Sequence, residues 1–525
     1  MKLTFINLAI ALFTVPAIVY SQEPLAEQYA QTITAANLSA DLHVLASDSL
    51  EGRETGKKGQ KMAAQFLASQ FKKYGLQPPV KTDSGMSYFQ KFELVKKEWE
   101  HVSLTVGKNE KMFLKDFYVY GDISIPEEEK IKVVFGGYGI DAPAYSDYTG
   151  LDVKGKAVVI FMGEPVKNGK SAVTGTTTTS YWANDWRRKA GAAKEKGARC
   201  VIIVVGQKQE DFDNRLNQLK HHLQQPTMGF TYKDRPGSAF FVPVQLAGEL
   251  LKTTGEQLLK DKDSLGATVK PVNLKLKSAK FKAIVKVKST PIQTENVLGY
   301  VEGTDKKSEV VVLTAHYDHL GMEGGKIFYG ADDDGSGTSA LLELAQAFGK
   351  AKQEGHGPRR SVLIMPVTGE EKGLLGSEYY TDHPIFPLDS TVADLNIDMI
   401  GRLDEAHENN PDYVYLIGSD KLSTDLHKIS EAANTTYTHL DLDYKFNAPD
   451  DPNRFYYRSD HYNFAKNKIP VVFYFNGVHA DYHQATDTVD KILFTKMEKI
   501  TRLVFFTAWD LANRDKRIVV DVNAE

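Results

Sequence analysis

The sequence predicts an α/β protein built around a mostly parallel β-sheet, with a smaller β-rich domain inserted into it. Two observations carry this prediction. After Lys275, apolar runs alternate with spans that are long enough for crossover helices. Between about Gly121 and Lys275, the pattern changes to short strand-like runs with one helix-like stretch. Because 525 residues are many for one domain, we expect two or three domains.

The composition is that of an ordinary globular protein, with 42% hydrophobic and 25% charged residues. The 64 basic and 68 acidic residues give a formal net charge of -4. This balance gives no electrostatic reason to expect nucleic acid or an anionic membrane as a partner. A small or peptide-like ligand is therefore favoured.

Residues 1–21 are predicted to be a secretory signal peptide. Lys2 supplies the positive charge, Leu8 to Val19 form the apolar stretch, and Val19-Tyr20-Ser21 offer a cleavage site. A membrane anchor is the competing interpretation, but the apolar run is shorter than the ~20 residues that a spanning helix needs. We therefore expect export to the periplasm or the extracellular space, with no membrane association after cleavage.

Cys200 is the only cysteine of the chain and lies in the apolar run "ARCVIIVV". Disulfides therefore cannot stabilise the exported protein, and a cysteine metal cluster is excluded. The side chain is expected to be small, buried and apolar in character.

The mature chain is expected to have three segments. Residues 22–120 form the N-terminal part of the main domain, residues 121–275 the inserted domain, and residues 276–525 the rest of the main domain. In the first segment, two helical stretches around "EGRETGKKG" are expected to be a packing module rather than catalytic machinery. In the second, "KVVFGGYGI", "KAVVIFMG" and "RCVIIVVG" are strand candidates, and "WRRKAGAAKEKG" is predicted to be a helix.

Polar side chains follow the apolar runs of the last segment. The predicted strands are "EVVVLTAH", "RSVLIMPVTGEE", "VADLNIDMIGR", "YVYLIGS" and "KIPVVFYFN". At or after their ends lie His316, Asp318, Glu370, Glu371, Asp398 and His483. Because ligands bind beyond the carboxyl ends of the strands in open α/β sheets, we expect these side chains to meet in one place.

Two histidines and three carboxylates without cysteine form a set that suits zinc, with cobalt or manganese as alternatives. One carboxylate can bridge two ions about 3.5 to 4 Å apart, an arrangement used for metal-assisted hydrolysis. Glu370 and Glu371 are consecutive. One of them can therefore bind metal while the other accepts the proton of the attacking water.

The stretch "DDDGSGTSALLE", residues 332–343, nearly fits the calcium loop of an EF-hand. An EF-hand needs a helix before the loop, and the preceding "HLGMEGGKIFYGA" is too rich in glycine for one. Leu341, Leu344, Ala345 and Phe348 instead form the buried stripe of a helix. We therefore expect Glu343 to point away from that buried face and the calcium match to be a coincidence.

Five motifs occur in the order "TAHYDHLG", "GADDDGSG", "TGEEKGLLGS", "NIDMIGR" and "DYHQATDT". With them the chain resembles the co-catalytic dizinc aminopeptidases of metallopeptidase family twenty-eight, which also includes glutamate carboxypeptidases and glutaminyl cyclase relatives. The resemblance extends from about Leu38 to the C-terminus, because "EGRETG" is similar to the family's N-terminal segment. It implies a three-layer αβα peptidase domain with a mixed sheet. The block from "VVFGGYGI" to "CVIIVV" resembles the family's protease-associated insert.

The resemblance also implies a role for each motif residue. The implied metal ligands are His316 and Asp398 for one zinc, Glu371 and His483 for the other, and Asp332 as the bridge. Glu370 would be the general base, Asp318 would orient His316, and Tyr482 would stabilise the oxyanion, although Tyr482 fits a packing role equally well. A cis peptide bond is expected between Asp332 and Asp333.

Several other polar residues near the motifs are expected to have structural roles and not to bind metal or substrate. His479 lies four residues before His483, but Asn476-Gly477 indicates a loop, so His483 alone is chosen as the ligand. His319, His383 and His461 are expected to be loop or supporting residues. Arg402 and Arg458 are expected to form salt bridges rather than to bind substrate.

The sequence is therefore interpreted as that of a zinc-dependent exopeptidase acting on peptide substrates, and an aminopeptidase is the favoured assignment. A carboxypeptidase or dipeptidase would keep the same metals with other substrate clamps. A glutaminyl cyclase-like acyltransferase would bind one zinc. Receptor-like binding proteins of the family lack some of the metal ligands, whereas this sequence has all five of the implied metal ligands.

Overall fold

The computed structural model describes residues 22–233, 237–268 and 276–522. The chain divides into two compact units, one made of the chain up to Phe92 and from Gln293 onward, the other of Glu93–Ile292. The predicted signal peptide lies outside the described residues. Within the described ranges, no helix has both the length and the apolar character needed to cross a membrane.

The boundaries of the inserted unit differ from those predicted at 121 and 275. They fall inside two long strands, Phe89–Val106 and Phe281–Val297. Because both strands are continuous across the boundary, no turn residue marks it in the sequence. A pattern of turns and apolar runs therefore could not locate it.

The first unit contains a seven-stranded sheet. Its strands are β1 (Gly299–Val301), β2 (Lys306–His316), β3 (Arg360–Val367), β4 (Thr391–Ile397), β5 (Tyr413–Ile417), β6 (Asp441–Asp443) and β7 (Val471–Phe475). The spatial order is β1-β3-β2-β4-β7-β5-β6. Four neighbouring pairs are parallel, and β1-β3 and β5-β7 are antiparallel. The five predicted strands of the last segment are thereby confirmed, as is a mostly parallel mixed sheet.

The register brings the carboxyl ends of the central strands together. His316 at the end of β2 pairs with Val367 at the end of β3. Thr314 of β2 pairs with Asn396 of β4, two residues before Asp398. The loops that carry the predicted site residues therefore leave the sheet at the same edge.

Helices pack on both faces of this sheet. They are α1 (Gln22–Ala30), α2 (Ala35–Leu45), α3 (Lys58–Lys73), α4 (Gly337–Gln353), α5 (Leu375–Asp382), α6 (Thr424–Ala433), α7 (His461–Ala465) and α8 (Phe494–Asn513). In β2, Val311 and Leu313 belong to the core shared with α2, α3, α4 and α8, whereas Val310 and Val312 belong to the core shared with α5 and α7. This alternation of side chains is what a three-layer αβα arrangement requires.

Helix α4 corrects one prediction. Leu341 and Phe348 of the predicted stripe are buried, but Glu343 is fully buried as well instead of facing solvent. Its Oε2 atom accepts hydrogen bonds from the N–H of Thr34 and the side-chain amide of Asn37, both at 3.2 Å. Glu343 therefore stabilises the start of α2, which also excludes it as a calcium ligand.

The second unit contains two five-stranded sheets. One consists of Tyr118–Tyr120, Val133–Phe135, Ala157–Phe161, Cys200–Val205 and Ala239–Pro243; the other includes Phe89–Val106, Asn109–Met112, Ile125–Ile131, Thr227–Gly229 and Phe281–Val297. Its longer helices are Trp186–Glu195, Gln209–Gln224, Val244–Leu250 and Gly255–Thr268. The three predicted strands and the predicted helix of this segment are confirmed. Cys200 is buried, as expected.

Candidate metal centre and active site

Two histidines lie against the two oxygens of the Asp333 carboxylate. The Nε2 atom of His316 lies 3.2 Å from Asp333 Oδ1 and 3.6 Å from Asp398 Oδ1. The Nε2 atom of His483 lies 3.1 Å from Asp333 Oδ2 and 3.3 Å from Glu371 Oε2. Each oxygen of Asp333 thus faces its own histidine, and each of these histidines also lies close to a second acid.

The prediction of Asp332 at this central position is wrong by one residue. Asp332 Oδ1 accepts a hydrogen bond from the N–H of Gly401 at 2.6 Å, and Asp332 Oδ2 lies 3.1 Å from His479 Nε2. The cis peptide bond is likewise one residue later than predicted, between Asp333 and Asp334. A run of three aspartates looks the same in either register, so the motif alone could not decide which carboxylate faces the histidines.

Unlike Asp333, its neighbours Asp332 and Asp334 accept hydrogen bonds from backbone N–H groups. Asp334 accepts hydrogen bonds from the N–H groups of His316, Gly337 and Met399. Although Asp334 lies within reach of His316 and Asp398, three donors already occupy its two oxygens. It turns the chain into α4, as the sequence predicts for this position.

Asp318 has a different role from the one predicted. The Nδ1 atom of His316 lies 3.0 Å from the backbone carbonyl of Asp318, and 3.9 Å from its carboxylate. Because a carbonyl can only accept, Nδ1 carries the proton and Nε2 is left to face Asp333. The carboxylate of Asp318 instead accepts hydrogen bonds from the N–H of Glu370 at 3.2 Å and the hydroxyl of Thr55 at 2.7 Å.

The segment "EGRETG" reaches the site, contrary to the expectation of a packing module alone. Arg53 is fully buried and donates to the backbone carbonyls of Leu45, Tyr317, Tyr329 and Gly330. These bonds fix the chain on both sides of His316 and Asp333. Charged residues such as those in Gly-Arg-Glu-Thr are unusual in a buried loop. This composition was the sequence signal that could have identified the segment as part of the site.

His319 also lies closer to the site than the sequence predicts. It is fully buried, and its Nδ1 atom lies 2.8 Å from Glu371 Oε1. His461 is also buried but lies against Phe473, with ring centroids 4.8 Å apart. Arg402 forms the expected salt bridge, with Asp481 at 2.9 Å.

The charges of the cluster are strongly coupled. Burial lowers the pKa of His316, but the carboxylates of Asp398 and Glu370 outweigh burial and raise this pKa well above its usual value. Burial also lowers the pKa of His483, but Asp333 and Glu371 outweigh burial and raise this pKa to about 10. Burial raises the pKa of Asp333, yet the two histidines hold it well below its usual value. A divalent cation would compete with the imidazole protons for these atoms.

The residues fit a metal centre. Asp333 Oδ2, Glu371 Oε1 and both ring nitrogens of His319 are buried, and within the described part of the chain none of them forms a hydrogen bond of regular geometry, although His319 Nδ1 and Glu371 Oε1 are 2.8 Å apart. Buried polar atoms without partners are costly, and bound cations satisfy them. A set of imidazole nitrogens and carboxylate oxygens without thiolate suits zinc, cobalt or manganese.

A cleft opens beside the cluster. It is lined by Asp333, Glu370, Asp398, Met399, Phe455, Arg458, Phe473, Phe475, Val478 and Tyr482. The Tyr482 ring stacks on that of His483, with centroids 3.8 Å apart. His483 itself has a φ of +57°, a conformation that costs a non-glycine residue roughly 1 kcal/mol and recurs at functional sites.

Residues 296–508 match the profile of Peptidase family M28. The chain is similar over most of its length to a solved aminopeptidase from Aneurinibacillus sp. strain AM-1, with a TM-score of 0.55, 18% identity, and 95% of this chain and 98% of that chain covered. At this identity the match supports the fold alone.

Curated relatives match over shorter regions. Aminopeptidase YwaD of Bacillus subtilis is 33% identical over 122 residues, which are 23% of this chain and 25% of the relative. A probable glutamate carboxypeptidase of Arabidopsis thaliana, LAMP1, is 36% identical over 105 residues, 20% of this chain and 14% of the relative. A probable zinc metalloprotease of Pyrenophora tritici-repentis is 34% identical over 116 residues, 21% of this chain and 23% of the relative. The matched region thus spans a quarter or less of these relatives.

Proposed function

Because residues 296–508 match the profile of Peptidase family M28, we propose that the chain is an exported, zinc-dependent aminopeptidase of that family that removes N-terminal residues from peptides. One observation carries the proposal. One oxygen of Asp333 lies beside His316 and the other beside His483, and each of these histidines also lies near a second acid, Asp398 or Glu371. A carboxylate shared between two such pairs is the arrangement of a two-metal hydrolase.

The proposed ligands follow from these distances. His316 and Asp398 would hold one zinc ion, His483 and Glu371 the second, and Asp333 would bridge the two. When bound, zinc supplies a Lewis acid that polarises the scissile carbonyl and makes water more acidic.

Glu370 is the proposed general base. Its carboxylate lines the cleft, and its Oε2 atom lies 4.0 Å from His316 Nε2. In the absence of metal, burial, reinforced by Glu371 and Asp398 and opposed by His316, raises the pKa of Glu370 well above its usual value. The positive charge of bound zinc would oppose this rise and favour the carboxylate form that a base needs. Glu370 would accept the proton of the attacking water and return it to the departing amine.

Tyr482 is the proposed oxyanion donor. Burial and the carboxylates of Asp333, Glu371 and Glu370 raise the pKa of its hydroxyl well above the usual value, so the hydroxyl keeps its proton. A protonated phenol in the cleft can donate a hydrogen bond to the oxygen that becomes negative during attack. Stacking on His483 holds the ring in place.

The cleft also favours the amino end of a peptide. Glu370 lines it without being a proposed metal ligand, and its negative charge can attract an ammonium group. The rings of Phe455 and Phe473 supply an apolar wall. We propose that the apolar part of the first side chain packs there.

Three alternatives are distinguished by measurable properties. A carboxypeptidase or dipeptidase would require a free C-terminal carboxylate on its substrate. A glutaminyl cyclase-like acyltransferase would bind one zinc and cyclise N-terminal glutamine. A receptor-like protein would bind peptides without cleaving them.

Metal analysis of the purified protein, combined with free and N-acetylated leucine p-nitroanilide, tests the proposal. We expect two zinc ions per chain and hydrolysis of the free amine only. Equal cleavage of the free and acetylated compounds would contradict the aminopeptidase assignment, and a single zinc would contradict the two-metal site.

Export is proposed from the sequence of residues 1–21 alone. If this segment is a signal peptide, the protein recovered outside the cytoplasm should begin at Gln22. N-terminal sequencing of that protein would check the cleavage site, and retention of Met1 would contradict it.

A further inference from the structure

Arg458 lies in the wall of the cleft, next to the proposed catalytic groups. Among the described residues that line the cleft, it is the one with a positively charged side chain. The sequence predicts a salt bridge for it, and this prediction is wrong. No carboxylate of the described residues lies within ion-pair distance of its guanidinium, whereas Arg402 pairs with Asp481 at 2.9 Å.

The guanidinium is nevertheless held in a defined place. Its central carbon lies 5.0 Å from the centroid of the Phe455 ring, a cation-π contact. Its Nη2 atom lies 3.5 Å from the hydroxyl oxygen of Tyr482. These contacts use one face and at most one donor of a group that has five N–H donors.

The remaining donors have a definite chemical preference. A guanidinium pairs with a carboxylate through two parallel N–H···O bonds, and such pairs are stronger than neutral hydrogen bonds. Phe455 covers one face of the guanidinium, and the side chain is otherwise exposed, so its remaining donors are accessible to an incoming anion. Asp333, Glu370 and Asp398 line the same cleft but lie beyond 4.0 Å, so they leave this pairing capacity unused.

We propose that Arg458 binds a carboxylate of the substrate and makes it a determinant of specificity. The inference rests on the proposed peptidase function and adds to it a preference for substrates that carry a carboxylate close to the scissile bond. That carboxylate can come from an acidic N-terminal side chain or from the free C-terminus of a dipeptide.

Two pairs of substrates distinguish these sources, because each pair differs only in one negative charge. The first pair is the p-nitroanilides of glutamate and glutamine, and the second is Leu-Leu and Leu-Leu amide. We expect the unaltered protein to prefer the acid in one of the pairs, and Arg458→Gln to lose about 10- to 100-fold in kcat/KM for that acid. The uncharged member of the pair should change little, and Arg458→Lys should recover part of the loss.

Arg454→Gln is the matched control. Arg454 is an exposed arginine on the same segment that packs on the Tyr457 ring at 4.8 Å and does not line the cleft. Its substitution should leave both preferences unchanged. If it abolished them as Arg458→Gln does, the effect would come from the net charge of the segment, and the inference would be overturned.

Two other outcomes would also overturn the inference. Arg458→Gln could leave both acid preferences intact, or it could lower kcat equally for all four compounds, which would indicate support of Tyr482 instead. If the unaltered protein cleaves none of the four, the proposed aminopeptidase and dipeptidase functions fail. Calorimetric binding of the same four compounds to zinc-loaded protein with Glu370→Gln, with and without Arg458→Gln, then decides the inference by the same comparison.

Discussion

The carboxylate of Asp318 accepts a hydrogen bond from the backbone N–H of Glu370, with Oδ1 and N 3.2 Å apart. This bond joins the loop after β2 to the loop after β3. The second oxygen of Asp318, Oδ2, accepts a hydrogen bond from the hydroxyl of Thr55, with the two oxygens 2.7 Å apart. One buried side chain therefore sets the position of the proposed base relative to His316, and a residue from the N-terminal part of the chain holds that side chain.

Glu370→Gln tests the base directly. Glutamine has nearly the same shape but cannot accept the proton, so we expect kcat to fall about 100- to 10,000-fold. Zinc content and thermal unfolding should stay unchanged, because Glu370 is not a proposed ligand. Glu378→Gln on α5 is the control for loss of one acid. Wild-type turnover of the Glu370→Gln protein would refute the assignment.

Asp333→Asn and Asp332→Asn test the register of the triple aspartate. The first replaces the shared carboxylate by a group with a single oxygen, so the zinc content should fall by at least one ion per chain and activity should be lost. In the second, the asparagine oxygen can still accept a bond from Gly401 or His479, so zinc should be retained. Mass-spectrometric metal counts decide the matter; loss of zinc from Asp332→Asn alone would restore the register predicted from the sequence.

Thr55→Val tests support of Glu370 through Asp318. Thr55 and Asp318 are 1% and 0% exposed, so removing the hydroxyl leaves a carboxylate oxygen buried without this donor, at a cost of about 1 to 3 kcal/mol in the free energy of unfolding. We expect kcat to fall about 2- to 10-fold while the zinc content is unchanged. Thr55→Ser keeps the hydroxyl and should behave like the unaltered protein. A fall in stability without any change in kcat would show that the bond does not position Glu370.

Glu343→Gln tests a pH dependence of stability outside the metal centre. Burial, reinforced by Asp41 and opposed by the donors Thr34 and Asn37, raises the pKa of Glu343 from 4.5 to about 7. The folded protein therefore binds more protons than the unfolded chain between these values, and ionisation of Glu343 lowers stability as the pH rises through this window. The variant cannot ionise, so it should match the unaltered protein below pH 4.5 and exceed it at pH 8 by at most about 3 kcal/mol.

Urea unfolding at both pH values measures this difference. Asp41 also titrates near this window, since burial raises its pKa to about 6, and it interacts with Glu343, so the comparison is made with Asp41→Asn present in both proteins. A stability difference that is the same at both pH values would contradict the role of ionisation.

The sequence by itself determined the strands of the sheet and the places where chemistry begins. Apolar runs of strand length, such as "EVVVLTAH" and "RSVLIMPVTGEE", pair their backbone hydrogen-bonding groups and bury their side chains when they form strands of a covered sheet. Few other structures achieve both. His316, Glu371, Asp398 and His483 follow such runs, and parallel strands bring their carboxyl ends to one edge. These four residues were therefore accessible to sequence reasoning.

Only the tertiary structure decided which of three identical aspartates faces the histidines, and that Thr55 and Arg53 support the site. Those outcomes depend on backbone direction within the loop and on contacts between residues hundreds of positions apart, which a local pattern does not encode. The same holds for Glu343 and Arg458. A helical stripe cannot show that another helix begins over Glu343, and a charge count cannot show that Arg458 lines the cleft without an acidic partner.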